Sequence, residues 1–278
     1  MVAVAGAHRA DSLTVMRSVF LAIFLTVALA PSAFGADGIS GTWTTGGAEP
    51  RIFIFKASAE RFAGVACGPC DRPSSVFRID DGRMLDANRI AFFVTYDVGG
   101  PRFKELGAYR ERFEGSIRAG QLSLTARPDG RNLPESTVTL TRVVQNYVPD
   151  TTNLPPSSLL TVGPDAAPSA IEGRWIYGTT LPQQNLTLKV RGRSVWGVIC
   201  GPCTPDQVAM IDDGTYDGST IRFHINHFDT NRFPQPERGV QRNILTGVVT
   251  GNVIKFVWVR EQAREQTGEM FFVGPIRD

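Results

Sequence analysis

The segment Ser136-Thr-Val-Thr-Leu-Thr-Arg142 places Val138 and Leu140 on one face of an extended chain and hydroxyl-bearing side chains on the other. A repeat of two residues is typical of a β-strand that buries one face, whereas an amphipathic helix repeats every 3.6 residues. Residues 51–56, 121–125 and 185–190 follow the same pattern or nearly so. The sequence therefore predicts an all-β protein of short antiparallel strands.

The two halves of the chain carry the same motifs in the same order, displaced by 132 or 133 residues. A register held this closely over such a distance indicates an internal duplication. We interpret the repeated Asp-Asp pair, at residues 80–81 and 212–213, as a turn former. The matched pairs are Ile39-Ser-Gly-Thr-Trp43 with Ile171-Glu-Gly-Arg-Trp175, Gly64-Val-Ala-Cys-Gly-Pro-Cys70 with Gly197-Val-Ile-Cys-Gly-Pro-Cys203, and Ile79-Asp-Asp-Gly82 with Ile211-Asp-Asp-Gly214.

The N-terminal 36 residues indicate an exported protein. Arg9 and Arg17 precede the apolar run 18–30, which is too short to span about 30 Å of hydrocarbon as a helix. Small residues suited to cleavage follow this run, as in a secretory signal. We therefore expect residues 1–36 to be a signal peptide, cleaved after Gly35 or Ala36, of a bacterial protein that is periplasmic or secreted.

The two repeats are separated by a segment with its own composition. Residues 143–170 contain five prolines and no Lys, Arg or Glu, which favours an extended spacer over a packed helix. The predicted domains are thus a first β-barrel repeat at 37–142 and a second at 171–278. An all-β unit of this size protects its edge strands most completely by closing into a barrel.

Composition excludes some classes of protein. With 29 Lys+Arg against 27 Asp+Glu, the net charge of +2 offers no electrostatic surface for a phosphate backbone, so we expect no nucleic-acid partner. A hydrophobic fraction of 42% is that of a packed chain rather than a disordered one. No segment after residue 36 has the length of a membrane helix, so no stable membrane insertion is expected after signal cleavage.

Several motifs carry a resemblance to a known family. Gly41 and Trp43 begin the first repeat, Gly173 and Trp175 begin the second, and 137–142 closes the first as Thr-x-Thr-Leu-Thr-Arg. This pattern, which covers most of both repeats, resembles the small calycin-type barrels of bacterial extracytoplasmic proteins, similar in fold to lipocalins and avidins. The resemblance implies two tandem up-and-down antiparallel β-barrels of about eight strands each, whose interior or mouth holds a small ligand. It implies no particular ligand.

The duplicated Cys-Gly-Pro-Cys motif, at Cys67–Cys70 and Cys200–Cys203, is the sharpest chemical feature of the sequence. In thioredoxin-like oxidoreductases this tetrapeptide opens a long helix that lowers the pKa of its first cysteine. Here the residues that follow allow at most one helical turn. In an oxidising compartment we favour two local disulfides. A thiol–disulfide redox role and a zinc site formed by all four cysteines are the alternatives.

Candidate ligand-binding residues occupy equivalent places in the two repeats. A basic and aromatic loop beside a barrel mouth suits an anionic or sugar ligand. A polar pair at the end of an apolar strand face also suits a barrel mouth. The loop candidates are Arg102, Phe103, Arg232 and Phe233, and the strand-end candidates are His227 and Asp229.

No catalytic constellation can be placed on the sequence: there are no paired carboxylates at a recognisable spacing, no Gly-x-Ser-x-Gly motif and no phosphate-binding loop before a helix. We therefore expect an exported, non-enzymatic tandem β-barrel protein without a cofactor. Its expected partner is a small molecule or a protein of the cell envelope. A redox protein that uses the Cys-Gly-Pro-Cys motifs is the competing hypothesis.

Overall fold

The computed structural model describes residues 38–97, 107–143, 169–178, 183–227, 241–260 and 265–274. These residues form β-strands and short 3₁₀ turns, among them Pro73–Ser75 and Pro205–Gln207. Within those ranges, no helix is long and apolar enough to cross a membrane. The predicted signal peptide and all but the ends of the predicted linker lie outside the described residues.

The first repeat is a closed antiparallel barrel of eight strands in chain order, with β8 hydrogen-bonded back to β1. Tight turns join neighbouring strands, as at Asp86, whose carboxylate accepts hydrogen bonds from the backbone N–H groups of Asn88 and Arg89. The strands are β1 (Gly41–Thr44), β2 (Ile52–Ser58), β3 (Arg61–Cys67), β4 (Val76–Met84), β5 (Arg89–Tyr96), β6 (Tyr109–Arg118), β7 (Gln121–Pro128) and β8 (Ser136–Arg142).

The second repeat forms a second closed barrel with the same order, and β16 returns to β9. The prediction of two tandem up-and-down barrels is therefore confirmed. Its strands are β9 (Gly173–Tyr177), β10 (Gln184–Arg191), β11 (Ser194–Cys200), β12 (Val208–Tyr216), β13 (Thr220–His227), β14 (Gln241–Thr250), β15 (Val253–Arg260) and β16 (Gln266–Gly274).

Alternate residues of each strand fill the barrel interiors. In the first barrel the rings of Phe55, Phe92 and Phe113 form a chain, with centroids 5.3 and 5.0 Å apart. The tryptophan of the repeated Gly-x-Trp motif has the same role in both barrels: the indole N–H of Trp43 donates to the carbonyl of Ile39, and that of Trp175 to the carbonyl of Ile171. These interactions anchor the first strand of each barrel.

The repeated Asp-Asp-Gly motif lies inside a strand, so its interpretation as a turn former is wrong. β4 and β12 continue through the motif, and the strand pairing shifts register there as a β-bulge. Asp81 and Asp213 adopt φ of 51° and 48°, a left-handed conformation that Asp tolerates better than most residues. The alternation of the strand before the bulge places Asp80 and Asp212 on the outward face, where both are buried.

The two barrels pack directly against each other. Strands β2, β3, β10 and β11 are buried almost throughout their length, whereas β7 alternates between buried and exposed residues. A barrel strand buried on both faces must have a second packing partner, and here it is the other barrel. The proline-rich segment thus connects two barrels in contact rather than keeping them apart.

Candidate functional site

The end of the first barrel where β5 stops and β6 starts carries a polar group. Arg51 donates to the hydroxyl of Tyr96 over 3.1 Å, and that hydroxyl donates to the carboxylate of Glu111 over 3.0 Å. Burial raises the pKa of Tyr96, which keeps the phenol protonated as the donor. The recess beside these side chains has a volume of about 80 Å³. Sites for small molecules occupy about 300–1,000 Å³, so the recess is too small for one.

His227 occupies the corresponding position in the second barrel, at the end of β13. Strand register pairs His227 with Gln241, as it pairs Tyr96 with Tyr109 in the first barrel. His227 thus ends strand β13, and its ligand-binding role stays a prediction. The other ligand-binding candidates, Arg102, Phe103, Arg232, Phe233 and Asp229, lie outside the described residues, and their role stays a prediction.

Local disulfides close both Cys-Gly-Pro-Cys loops, Cys67 to Cys70 and Cys200 to Cys203, and account for all four cysteines of the chain. This confirms the favoured interpretation of the motif. With every sulfur in a disulfide, the alternative zinc site has no thiolate ligand. Cys67, Cys70 and Cys200 are buried, and Cys203 is partly buried. Such burial opposes the direct attack that thiol–disulfide exchange requires.

The loop of the first barrel is held against the second barrel. The hydroxyl of Thr187 donates to the backbone carbonyl of Cys70 over 2.9 Å, and the ammonium of Lys189 donates to that of Pro73 over 3.3 Å. Both donors lie on β10. The disulfide therefore shapes a loop that takes part in the contact between the barrels.

The centre of this contact is a single apolar cluster contributed by both barrels. Its members point outward from their own barrels and are buried only because the barrels meet. They are Ile52, Ile54, Ala63, Val65, Cys67, Cys70 and Val76 of the first barrel and Trp196, Val198, Cys200, Val208 and Met210 of the second.

A buried ionic cluster lies beside the apolar centre. The ammonium of Lys56 is 2.6 Å from a carboxylate oxygen of Asp212 and 2.7 Å from one of Asp213. The amide of Asn226 also donates to Asp212, over 2.6 Å. Burial raises the pKa of Asp212, while Lys56 acts in the opposite direction. One lysine of the first barrel thus faces two carboxylates of the second, and its own side chain and that of Asp212 are shielded from water.

Asp212, Asp213 and His224 are the described residues that come nearest to a metal-binding group. Their ligand atoms lie within 4.8 Å of one another, and Nδ1 of His224 is 3.7 Å from Asp213. In this structure the cation beside the two carboxylates is the ammonium of Lys56. A metal ion would have to displace that ammonium, so the geometry fits a structural ion pair better than a metal centre.

A second ionic cluster also joins the barrels, and here the lysine belongs to the second barrel. Lys189 and Arg191 on β10 both pair with Asp97 of the first barrel, over 3.0 and 2.9 Å, and with Glu172 of the second. Nearby, Arg78 pairs with Asp80 over 2.7 Å. Burial raises the pKa of Asp80, and Arg78 partly opposes that effect.

An indole side chain lies beside the second ionic cluster. The guanidinium groups of Arg78 and Arg191 lie 5.5 and 5.9 Å from the ring of Trp196, within the range of a cation–π interaction. Trp196 is fully buried. The first barrel thus contributes one of the two cations that contact this ring, and the second barrel contributes the other.

The sequence interpretation missed this contact, although a signal was present. The runs Phe62–Cys67 and Val195–Cys200 are apolar at every position, not at alternate ones. A continuous apolar run is typical of a strand buried on both faces. The pairing of Lys56 with Asp212 carried no such signal, because the two residues are 156 positions apart.

Comparisons with known proteins leave the chain without a family. No protein-family model matches it, and no curated protein is significantly similar to it. The structure has a likeness to a crystal structure described as that of a "putative outer membrane protein" from Bacteroides fragilis, with 14% identity and a TM-score of 0.24. The alignment covers 83% of this chain and 94% of that one. A TM-score this low supports no statement about this chain.

We expect replacement of both Cys67 and Cys70 by alanine to lower the free energy of unfolding by about 2 kcal/mol, because a bridge across so few residues restricts the unfolded chain by about that amount. Urea denaturation measures the loss, and the Cys200→Ala, Cys203→Ala protein is the matched comparison. Native protein without reductant should also show no thiol that reacts with an alkylating reagent. One reactive thiol or more per native chain would contradict the assignment of the disulfides.

Proposed function

We propose that this chain is an exported, non-enzymatic protein whose two barrels act as one body and bind a protein partner of the cell envelope through their outer surface. The observation that carries the proposal is the filled interior of the first barrel, where stacked and edge-on aromatic rings occupy the space. In calycin-type barrels, which the sequence resembles, this space holds the ligand. The outer surface is left for binding.

The two disulfides of the described residues support export. Both disulfides fit an oxidising compartment such as the bacterial periplasm or the exterior of the cell. Their position at the contact between the barrels gives them a structural role there. A secretory signal at residues 1–36 is the complementary sequence prediction.

The outward residues of the first barrel are suited to water and not to the interior of a membrane. Barrels that cross a membrane with their strands carry an apolar band on the outside. On β6 the outward side chains of Arg112 and Glu114 pair over 2.8 Å, and Arg89 on β5 pairs with Glu114 over 2.9 Å. Charged pairs of this kind at mid-strand are suited to solvent.

Two assays of the mature chain test the proposal. In a thermal-shift panel of fatty acids, haem and sugars we expect no change in Tm, because aromatic rings fill the described interior of the first barrel. In insulin reduction by dithiothreitol we expect no acceleration, because most of the motif's sulfur atoms are buried. A Tm increase above about 3 °C with any small ligand, which is about 1 kcal/mol for a protein of this size, would favour a ligand-binding barrel. Catalysed insulin reduction would favour the redox alternative.

A further inference from the structure

One side of the second barrel is apolar although it faces solvent. Val248, Val257, Phe271 and Val273 are 54%, 37%, 49% and 50% exposed. Apolar residues scattered singly on a surface are normal, whereas a contiguous group marks a contact site. We call the group the apolar face; its members are Ile176, Val248, Val253, Val257, Phe271 and Val273.

Strand register places members of the apolar face side by side. Phe271 on β16 lies directly opposite Val253 on β15 and, on its other side, opposite Ile176 on β9. Side chains directly opposite on one face of a sheet have Cβ atoms about 5 Å apart. These three residues therefore form a continuous apolar row across three strands.

The first barrel provides an internal comparison, because it has the same strands in the same register. The row equivalent to Val253, Phe271 and Ile176 consists of Gln121, Thr141 and Thr44. Ser116 and Thr125 stand at the positions of Val248 and Val257. The barrel therefore closes and packs with polar residues at five of the six positions, whereas Val143 stands at the position of Val273. Formation of the fold does not explain the apolar residues of the second copy, whereas binding does.

The charges within the apolar face indicate the kind of partner. Lys255 and Glu269 lie opposite each other on β15 and β16, with Nζ and Oε1 3.5 Å apart and side chains 73% and 47% exposed. A surface that carries both signs is complementary to its own copy under a twofold rotation. An anionic lipid surface attracts clusters of Lys and Arg instead, without an acidic residue among them.

The chain already uses this mode of binding internally. Its two barrels meet through outward sheet faces that have an apolar centre, with the Lys56–Asp212 ion pair beside it. The apolar face begins next to that contact, because Ile176 on β9 lies opposite Asn185 on β10. An open recess of about 380 Å³, lined in part by Val257 and Thr267, offers space for a side chain of a partner.

We infer that a second copy of this chain binds to the apolar face, so that two chains form a twofold-symmetric dimer of four barrels. The inference rests on the proposed function, because it names the surface and the partner through which an outer-surface binding protein works. The duplication supplies the substitutions for a test, since the first barrel shows which polar residues these strands accept.

The test is sedimentation velocity of the mature chain at about 1–100 μM, a range that covers dimers of moderate affinity. We expect a dimer for the natural sequence. With Ile176→Thr, Val253→Gln and Phe271→Thr together, the dissociation constant should rise at least about a hundredfold, because buried apolar anchors dominate such interfaces. The matched control changes the equivalent row of the first barrel, by Thr44→Ser, Gln121→Asn and Thr141→Ser, and should leave the dimer intact.

Exchanging the charges of Lys255 and Glu269 distinguishes a second copy of the chain from any other partner. Lys255→Glu alone places acidic residues against the partner's Glu269 and should weaken the dimer. Lys255→Glu combined with Glu269→Lys restores opposite charges in both copies and should recover it. An equimolar mixture of Lys255→Glu and Glu269→Lys chains carries like charges within each chain but opposite charges between chains, so recovery of the dimer in that mixture can come only from contact between copies. Failure of the double variant to recover the dimer would contradict a self-complementary face.

A chain that is monomeric at about 100 μM overturns the inference, and so does a dimer that the apolar-row substitutions leave unchanged. A monomer that co-sediments with vesicles of phosphatidylglycerol and phosphatidylethanolamine overturns it in favour of a lipid surface. None of these results bears on the thermal-shift panel or the insulin assay. Failure of the dimer and failure of the proposed function are therefore distinguishable.

Discussion

Replacement of Lys56 by methionine is expected to lower the free energy of unfolding by about 3–5 kcal/mol, the usual cost of removing one partner from a buried ion pair. The substitution keeps the length of the side chain but leaves Asp212 and Asp213 without the ammonium that lies 2.6 and 2.7 Å away. The side chains of Lys56 and Asp212 are 1% and 0% exposed, so water does not replace the lost charge. Urea denaturation at constant pH measures the effect.

Two controls identify burial as the cause. Arg127→Met removes a cation that also pairs with a carboxylate, that of Glu135, but at an exposed site, and should cost less than about 1 kcal/mol. Lys56→Met combined with Asp212→Asn and Asp213→Asn leaves no unpaired charge and should recover most of the loss. If Lys56→Met costs no more than Arg127→Met, the cluster does not hold the barrels together.

The loss in the free energy of unfolding caused by Lys56→Met should also depend on pH in a defined direction. Burial raises the pKa of Asp212, and loss of the ammonium removes the largest opposing influence. A carboxyl group whose pKa is higher in the folded than in the unfolded state binds a proton on folding, so its variant gains stability as the pH falls through that raised pKa. The difference in the free energy of unfolding between the variant and the natural protein should therefore narrow as the pH falls through the raised pKa of Asp212. A difference that widens as the pH falls would contradict the assignment.

The individual barrels could be predicted from the sequence because their causes are local. A period of two residues in segments such as Ser136–Arg142 specifies a strand with one buried face, and Asp217 specifies the turn before β13 by accepting hydrogen bonds from the next backbone N–H groups. The duplication then required that both halves have the same fold. Closure into barrels followed from the need to protect edge strands.

The contact between the barrels could not be predicted in the same way, because its determinants are far apart in the sequence. Strand β12 continues through Asp212 and Asp213 with Asp212 on its outward face, yet the Asp-Asp-Gly motif by itself is equally typical of a turn. The composition of the proline-rich segment favours an extended spacer. It carries no information on whether the two barrels touch. The apolar run that ends at Cys200 was a sign of burial on both faces, but it does not identify the partner.

Replacement of Trp196 by alanine is expected to cost about 3–5 kcal/mol, because it leaves a large cavity in the contact between the barrels. The indole is fully buried, and the guanidinium groups of Arg78 and Arg191 lie within cation–π range of its ring. Alanine itself is compatible with the strand, since Ala63 occupies the equivalent position of β3 in the first barrel. The loss should therefore come from the contact and not from the barrel that carries Trp196.

The number of transitions in the unfolding curve shows whether Trp196→Ala weakens the contact between the barrels. If the contact couples the barrels, the natural protein should unfold in one transition and the Trp196→Ala protein in two, because each barrel keeps its own closed set of strands and its own core. Trp196→Phe, which keeps most of the buried apolar area and a ring near the two arginines, should cost less than half as much and preserve the single transition. A Trp196→Ala protein that loses less than about 1 kcal/mol would show that the barrels fold and persist independently of the contact, and that the double barrel is not one body.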